Sequence, residues 1–274
     1  MTNVLAIFTC YNRKKKTEKC LKSLIDNNVD INFHFVVCDD GSTDGTSEML
    51  KDFKNIMVVN GNGKLFYTGG MRKAIEVAQT FDGDFEYVLL MNDDVEFFDH
   101  AIEKLVVQHK NLEMPQKSLV VGSTSDYEGR MTYGGVVYPY RFRMRYKKYG
   151  PKSGVECDTF HANCVLIPFN IFKSSGNMDE HYSHSLGDFD YGLKISRAGN
   201  KIVISDDYVG YCVIDAREGG WEDTSLSIRE RIKKKESFKG VPTGEWFYYA
   251  NKNFGLFRAV VSTVSPFVRI ILKK

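Results

Sequence analysis

Three acidic clusters in this chain each lie where an apolar run meets a polar turn or a helix start. In "VVCDDGSTDGT", Asp39 and Asp40 close one run, and in "YVLLMNDDVEFF" the strand-like stretch Tyr87 to Met91 runs straight into Asn92-Asp93-Asp94. In "SLGDFDYGLKISRAG", Asp188 and Asp190 flank Phe189 ahead of an amphipathic segment that ends at Gly199. Adjacent carboxylates repel, so pairs at strand ends are costly unless something holds them. A carboxylate beside a second oxygen donor at 92–94 can hold Mg²⁺ or Mn²⁺, which keep waters and take further ligands from a diphosphate. Asp39 and Asp40 can accept hydrogen bonds from a base or a ribose. Asp188, on a helix N-terminus whose dipole lowers its pKa, is expected to be an anion and can act as general base toward a hydroxyl. Each cluster also has a plainer reading. Ser42, Thr43 and Asp44 are helix N-cap types, Asp93 or Asp94 could cap a following helix, and Asp188 and Asp190 suit a helix dipole. His184 reads as a loop residue.

The elements that must position these clusters follow from periodicity. Strands are expected at Val4–Thr9, Phe33–Cys38, Asn55–Val59 and Tyr87–Met91, with helices at Thr17–Asn27, Thr43–Phe53, Gly70–Thr80 and Asp99–Asn111. This alternation predicts an α/β fold with a mostly parallel sheet and helices on both faces. Such sheets bind ligands at the carboxyl ends of their strands, where the polar clusters fall. After Leu119, "SLVVGS", "MTYGGVVYP", "DTFHANCVLIP" and "KIVISDDYVGYCVI" read as strands of a mixed, partly antiparallel second half. The basic and aromatic stretch Pro139–Lys152 reads as a loop.

At 274 residues and 43% hydrophobic, the chain can bury one large core. Thirty-seven basic against 35 acidic residues give a net charge of +2, which excludes a global footprint for nucleic acid. The six cysteines form no CxxC pair and read as reduced core thiols. "MTNVLAIFTCYN" lacks a basic start and a long apolar run, and reads as a strand instead of a signal peptide. From Phe254 to Leu272 the chain is mostly apolar, but Arg258, Arg269 and Pro266 interrupt it, so it is no membrane span. Arg258, Ser262, Ser265, Arg269 and Lys273 are spaced to form one polar stripe. Two readings stand: a helix lying on an anionic membrane surface, or a helix packed on the body with its basic stripe in water.

In this order the blocks resemble glycosyltransferase family 2, the inverting transferases with the GT-A fold. "IFTCYNR" looks like that family's first nucleotide-binding strand, "DDGSTDGT" like its most recognisable motif, and "LFYTGGMRKAIEVA" like its glycine-containing helix entry. "LLMNDDVEF" takes the place of the DxD-type motif, and "GNMDEHYSHSLGDFDYGLKISRAG" that of the acceptor-side segment. The resemblance covers about residues 3 to 215. It implies that Asp40, with Asp39 beside it, contacts the uracil or thymine and ribose of a UDP- or dTDP-sugar. Thr9, Tyr11 and Arg13 line that pocket, and Gly69 belongs to the helix entry. Asp94 coordinates a divalent metal (Mn²⁺ or Mg²⁺), Asn92 takes the first position of the metal motif, and Asp93 stands between them. Asp188 deprotonates the acceptor hydroxyl, while Asp190 and Arg72 support acceptor and phosphates.

Three departures from the family pattern stand out: Gly187 replaces Glu, Asn92 replaces an acid, and "DDYVGYCVIDAREGGW" lacks the downstream His that often adds a metal ligand. The expected whole is a GT-A catalytic domain over 1–215 with a helical extension over 216–274. Residues 1–118 form its donor half and 119–215 its acceptor half. The expected setting is the cytosolic side, with a glycan or lipid-linked acceptor of a surface polysaccharide such as O-antigen or capsule. A sugar nucleotidyltransferase is disfavoured because "TCYNRKKK" has no glycine for a phosphate loop. A non-catalytic binding relic is kept open by Gly187 and Asn92.

Overall fold

The computed structural model describes residues 1–140, 144–152, 154–214 and 220–272. The first half runs β1 (Thr2–Cys10), α1 (Lys14–Asp26), β2 (Ile31–Asp39), α2 (Thr46–Leu50), β3 (Ile56–Asn60), α3 (Phe66–Ala78), β4 (Tyr87–Met91), β5 (Glu96–Phe97) and α4 (Ala101–Lys110). There follow β6 (Ser118–Ser125), β7 (Met131–Tyr133), β8 (Gly135–Val137), β9 (Lys147–Tyr149), β10 (Glu156–Cys157), β11 (Thr159–Phe160), β12 (Cys164–Pro168), α5 (Phe169–Ser175), α6 (Gly187–Arg197) and β13 (Lys201–Tyr211). The extension holds α7 (Ile228–Lys235), α8 (Thr243–Phe254) and α9 (Leu256–Ile271).

The main sheet has the order β10-β13-β6-β12-β4-β1-β2-β3. β1 pairs in parallel with both β2 and β4, and β2 with β3, so their carboxyl ends open on one edge. β12 enters antiparallel between β4 and β6. Alternation along β1 shows why both faces are covered. Val4, Ala6 and Phe8 pack with Leu21 and Leu24 of α1 and Ile102 and Leu105 of α4. Leu5 and Ile7 point the other way, into Met71, Ala74 and Ile75 of α3. The six cysteines are buried and free.

Three expected elements come out differently. The helix expected over Thr43–Phe53 shrinks to α2, because the chain turns at Gly41 and Gly45, whose φ of 79° and 84° suit residues without a Cβ. "MTYGGVVYP" splits at Gly134 into β7 on the main sheet and β8 on a small β11-β8-β9 sheet. "DTFHANCVLIP" splits likewise into β11 and β12, leaving His161, Ala162 and Asn163 at the junction between the two sheets. Within the Pro139–Lys152 stretch, 141–143 lie outside the described residues, and β9 occupies 147–149. The expected boundary at 215/216 also falls outside them, as does Lys273.

Candidate active site

A cleft of about 780 Å³ opens at the carboxyl ends of β1, β2 and β4. Thr9, Tyr11, Asp40, Gly63 and Phe66 line one end, Arg13, Lys16 and Asn92 to Asp94 the middle, and His161, Asn163 and Asp188 the far side. Its outer wall comes from the extension, through Phe238, Lys239, Val241 and Trp246. Phe66, Leu186 and Val241, all on this cleft, have φ of 54°, 70° and 60°. Bulky side chains resist the left-handed region, so backbone strain gathers at the cleft walls.

Asp40 is buried, and its carboxylate is fully engaged. Oδ1 accepts the N–H groups of Asn62 (3.1 Å) and Gly63 (2.9 Å), and Oδ2 those of Leu65 (2.9 Å) and Phe66 (3.2 Å). It thereby folds the 61–66 loop against the end of β2 and satisfies the entry to α3. "DDGSTDGT" is knitted to the "YNR" turn: Asn12 Oδ1 accepts from Thr43 N–H, and Asp44 accepts from the backbone N–H of both Lys14 and Thr46. The capping expected of this motif thus falls to Asp44, serving two helix starts.

At the end of β4, Arg13 is ion-paired with both acids, 3.1 Å from Asp93 and closer still to Asp94. Asp93 is buried and also accepts from the Thr17 hydroxyl at 3.1 Å. Burial pushes its pKa up to about 6, against the pull of Arg13. Asp94 is more open, and its other oxygen meets the Cys212 thiol. Asn92 Oδ1 is buried with no hydrogen-bond partner among the described residues. An orphaned carbonyl oxygen two residues from an accessible carboxylate suits a hard cation, because both are oxygen donors and water or phosphate can complete the shell. Among the described residues, no three His, Cys, Asp or Glu side chains gather into a ligand set.

Across the cleft, Asp188 sits in the first turn of α6. Its oxygens accept from the N–H groups of Phe189 (2.9 Å) and Ala162 (3.3 Å). The helix dipole was expected to lower its pKa. Burial outweighs that and the two N–H donors, and raises it to about 6. Asp188 is therefore still an anion at neutral pH, with more basicity than an exposed carboxylate. Gly187, the departure beside it, has a steric cause: a Cβ there would overlap the Thr68 methyl. Thr68 holds the segment through its hydroxyl to the His184 carbonyl (3.0 Å), and the N–H groups of Thr68 and Gly69 bond the Ser183 carbonyl.

Four expected site residues do not line the cleft. Asp39 is buried, bonded to Ser42 N–H (3.0 Å) and the Ser47 hydroxyl. Gly69 lies inside α3 with its N–H taken. Arg72 reaches the carbonyls of Asp179 (3.3 Å) and Tyr182 (3.4 Å). Asp190 turns toward the extension, pairing with Lys252 (2.7 Å) and Asn253 (2.8 Å). Residue 188 faces the cleft and 190 faces α8 because two helical steps rotate a side chain by about 200°.

Other cleft residues are not singled out as site residues by the sequence, in which His184 reads as a loop residue. Tyr67 hydroxyl and His184 Nδ1 are buried without partners among the described residues, and both line the cleft. Burial and nearby Lys239 lower the His184 pKa, so it is neutral. Tyr133, Tyr146, His161 and Phe189 form a ring cluster with centroids 4.9 to 5.3 Å apart along the chain of contacts. They come from four separate stretches between 133 and 189, which hides them from any linear motif.

Residues 6–174 match the family described as Glycosyl transferase family 2. No curated protein matches the chain by sequence. Among solved structures, the mannosyltransferase PcManGT from Pyrobaculum calidifontis, determined with GDP-Man and Mn²⁺, superposes with a TM-score of 0.59 at 15% identity, over 98% of this chain and 73% of that one. S. aureus TarS 1-349 superposes with a TM-score of 0.56 at 15% identity, over 99% of this chain and 81% of that one. At such identity these likenesses speak for the fold, a mixed α/β GT-A architecture. The family match spans more than half of the sequence and includes the turn that Asp40 and Asp44 build and the Asn92–Asp94 shelf. The chain belongs to glycosyltransferase family 2.

Proposed function

We propose that this chain is an inverting glycosyltransferase that moves a sugar from a UDP- or dTDP-sugar to a hydroxyl of a glycan or lipid-linked acceptor. One observation carries the reading: Asp188, a basic carboxylate, lines the same cleft as the Asn92–Asp94 shelf. Nucleophile activation on one side and leaving-group stabilisation on the other are what single displacement at an anomeric carbon requires. The nucleoside lies at the Thr9, Tyr11, Asp40 and Gly63 end. Because the Asp40 carboxylate is engaged, its contribution to the base or ribose is to shape the 61–66 backbone. The likeness to PcManGT, solved with a nucleotide-sugar and Mn²⁺, supports a donor and a cation of this kind.

Asn92 Oδ1 and the Asp94 carboxylate would hold the divalent metal, which when bound neutralises charge on the departing diphosphate. Arg13 now pairs with both acids, and with Lys16 it supplies the positive charge that a diphosphate would meet. The ring cluster around Phe189 offers an apolar face to the acceptor sugar. Asp188 then accepts the hydroxyl proton as the oxygen attacks. Residues 1–118 serve the donor and 119–215 the acceptor, with 216–274 closing the outer wall.

Calorimetric titration with UDP, dTDP and GDP, with and without Mn²⁺, tests the donor site. Micromolar, metal-dependent binding of UDP or dTDP is expected. Binding of GDP alone would overturn the donor assignment, and binding of none would leave Asp93 and Asp94 only as ion-pair partners of Arg13. Transfer that persists unchanged in Asp188→Asn would remove the proposed base.

A further inference from the structure

The helix α9 is mounted with its apolar side outward. Leu256, Phe257, Val260, Val264, Val268 and Ile271 follow one another at helical spacing and are 45 to 69% exposed. The opposite side is fixed to the body. Ala259 and Ile270 are buried, Ser262 accepts the Trp246 indole N–H at 3.0 Å, and buried Arg231 donates to the Ile270 carbonyl at 3.3 Å. Of the polar stripe, Arg258 lies over the Phe254 ring and Arg269 against Glu222 and the Trp221 ring, while Ser265 is exposed. Of the two sequence readings, the helix packed on the body would hide this apolar side, whereas the helix lying on a membrane surface requires it outward.

We infer that this face docks the protein on an anionic lipid bilayer. Among the described residues no helix is long and apolar enough to cross a membrane, whereas an apolar face over four turns suits a helix lying in the headgroup boundary. Charge selects the occupant. Residues 220–274 hold eleven Lys and Arg against five Asp and Glu, while the remaining 219 hold 26 against 30. Arg229, Lys233, Lys234 and Lys239 of this basic segment are exposed. A second copy would bring the same excess of positive charge against itself, whereas anionic headgroups neutralise it.

The docking surface borders the proposed acceptor side, since Trp246 both lines the cleft and holds α9 through Ser262. Resting on the proposed transfer reaction, this favours an acceptor anchored in the same bilayer. The docking itself does not depend on that reaction.

The test is flotation of the full chain with vesicles of phosphatidylcholine alone and with about 30% phosphatidylglycerol, at about 0.1 M and 0.5 M salt. Binding to the anionic vesicles at least tenfold above neutral ones, weakened by salt, is expected. Val260→Glu/Val264→Glu should abolish it, and Lys233→Glu/Lys234→Glu should weaken it. UDP titration of the same variants reads the donor site separately and should not change. Absence of flotation on anionic vesicles overturns the proposal. So does a concentration-dependent dimer, seen by ultracentrifugation, that Val260→Glu/Val264→Glu dissolves without any effect on vesicle binding.

Discussion

Asp188 and Asp40 are both carboxylates of the cleft, and their surroundings give them opposite duties. Asp188 accepts only two N–H groups against a larger burial cost, so it keeps proton affinity; its pKa near 6 fixes two expectations. The free-enzyme rate constant kcat/KM should rise tenfold per pH unit up to about 6 and then level off, as measured across a pH series. Asp188→Asn should lower transfer by roughly 10²–10⁴-fold with nucleotide affinity unchanged. The same variant should be more stable at pH 8. A carboxyl whose folded pKa lies above its unfolded value of about 3.9 loses folded-state stability as pH rises from about 4 to 6, an upper bound of about 3 kcal/mol here. Asn carries no charge to bury, so the two proteins should converge near pH 4, which urea titration at both pH values checks. Asp40, by contrast, uses both oxygens on four backbone donors. Asp40→Asn sets an NH₂ against two of them, at a cost of about 2–4 kcal/mol. It should therefore fail by unfolding the 61–66 loop, seen as faster hydrogen exchange there.

At the scale of elements, the sequence was readable where one period ran unbroken. β1, β2, β4 and α4 appear within a few residues of where alternation and helical spacing put them, because each is buried against neighbours of its own kind. It was not readable where a strand changes sheets. His161 and Asn163 enter the cleft only because the chain leaves one sheet between Phe160 and Cys164, a tertiary event with no local signature. The acids were legible as a set but not by direction: Asp188 faces the cleft while Asp190, two residues on, faces α8. Gly187 shows the same limit, since its reason lies in Thr68, more than a hundred residues upstream. Gly187→Ala should destabilise by roughly 1–3 kcal/mol through overpacking. Thr68→Ala added to it should recover part of that loss, because the clashing methyl is gone. A double-mutant cycle by urea denaturation measures the coupling, and simple additivity would refute the contact.

For the whole molecule, the decisive joint is between the catalytic body and the extension that walls its cleft. Lys252 of α8 reaches Asp179 (2.6 Å) and Asp190 (2.7 Å) together, and Asp190 is almost wholly buried. Arg72 steadies the same segment by binding the Asp179 and Tyr182 carbonyls. Lys252 is 35% exposed, so water screens part of the pair, but its removal still leaves the buried Asp190 carboxylate with Asn253 and without its counter-ion. Lys252→Met should therefore lose about 1–2 kcal/mol, and Asp190→Asn added to it should restore a large part. Because α8 also carries Trp246 into the cleft, Lys252→Met should raise the KM for acceptor while leaving UDP affinity, read at the β1 and β2 end, within about twofold. Equal losses at both substrates would mean that the extension supports the entire fold and not the acceptor wall alone.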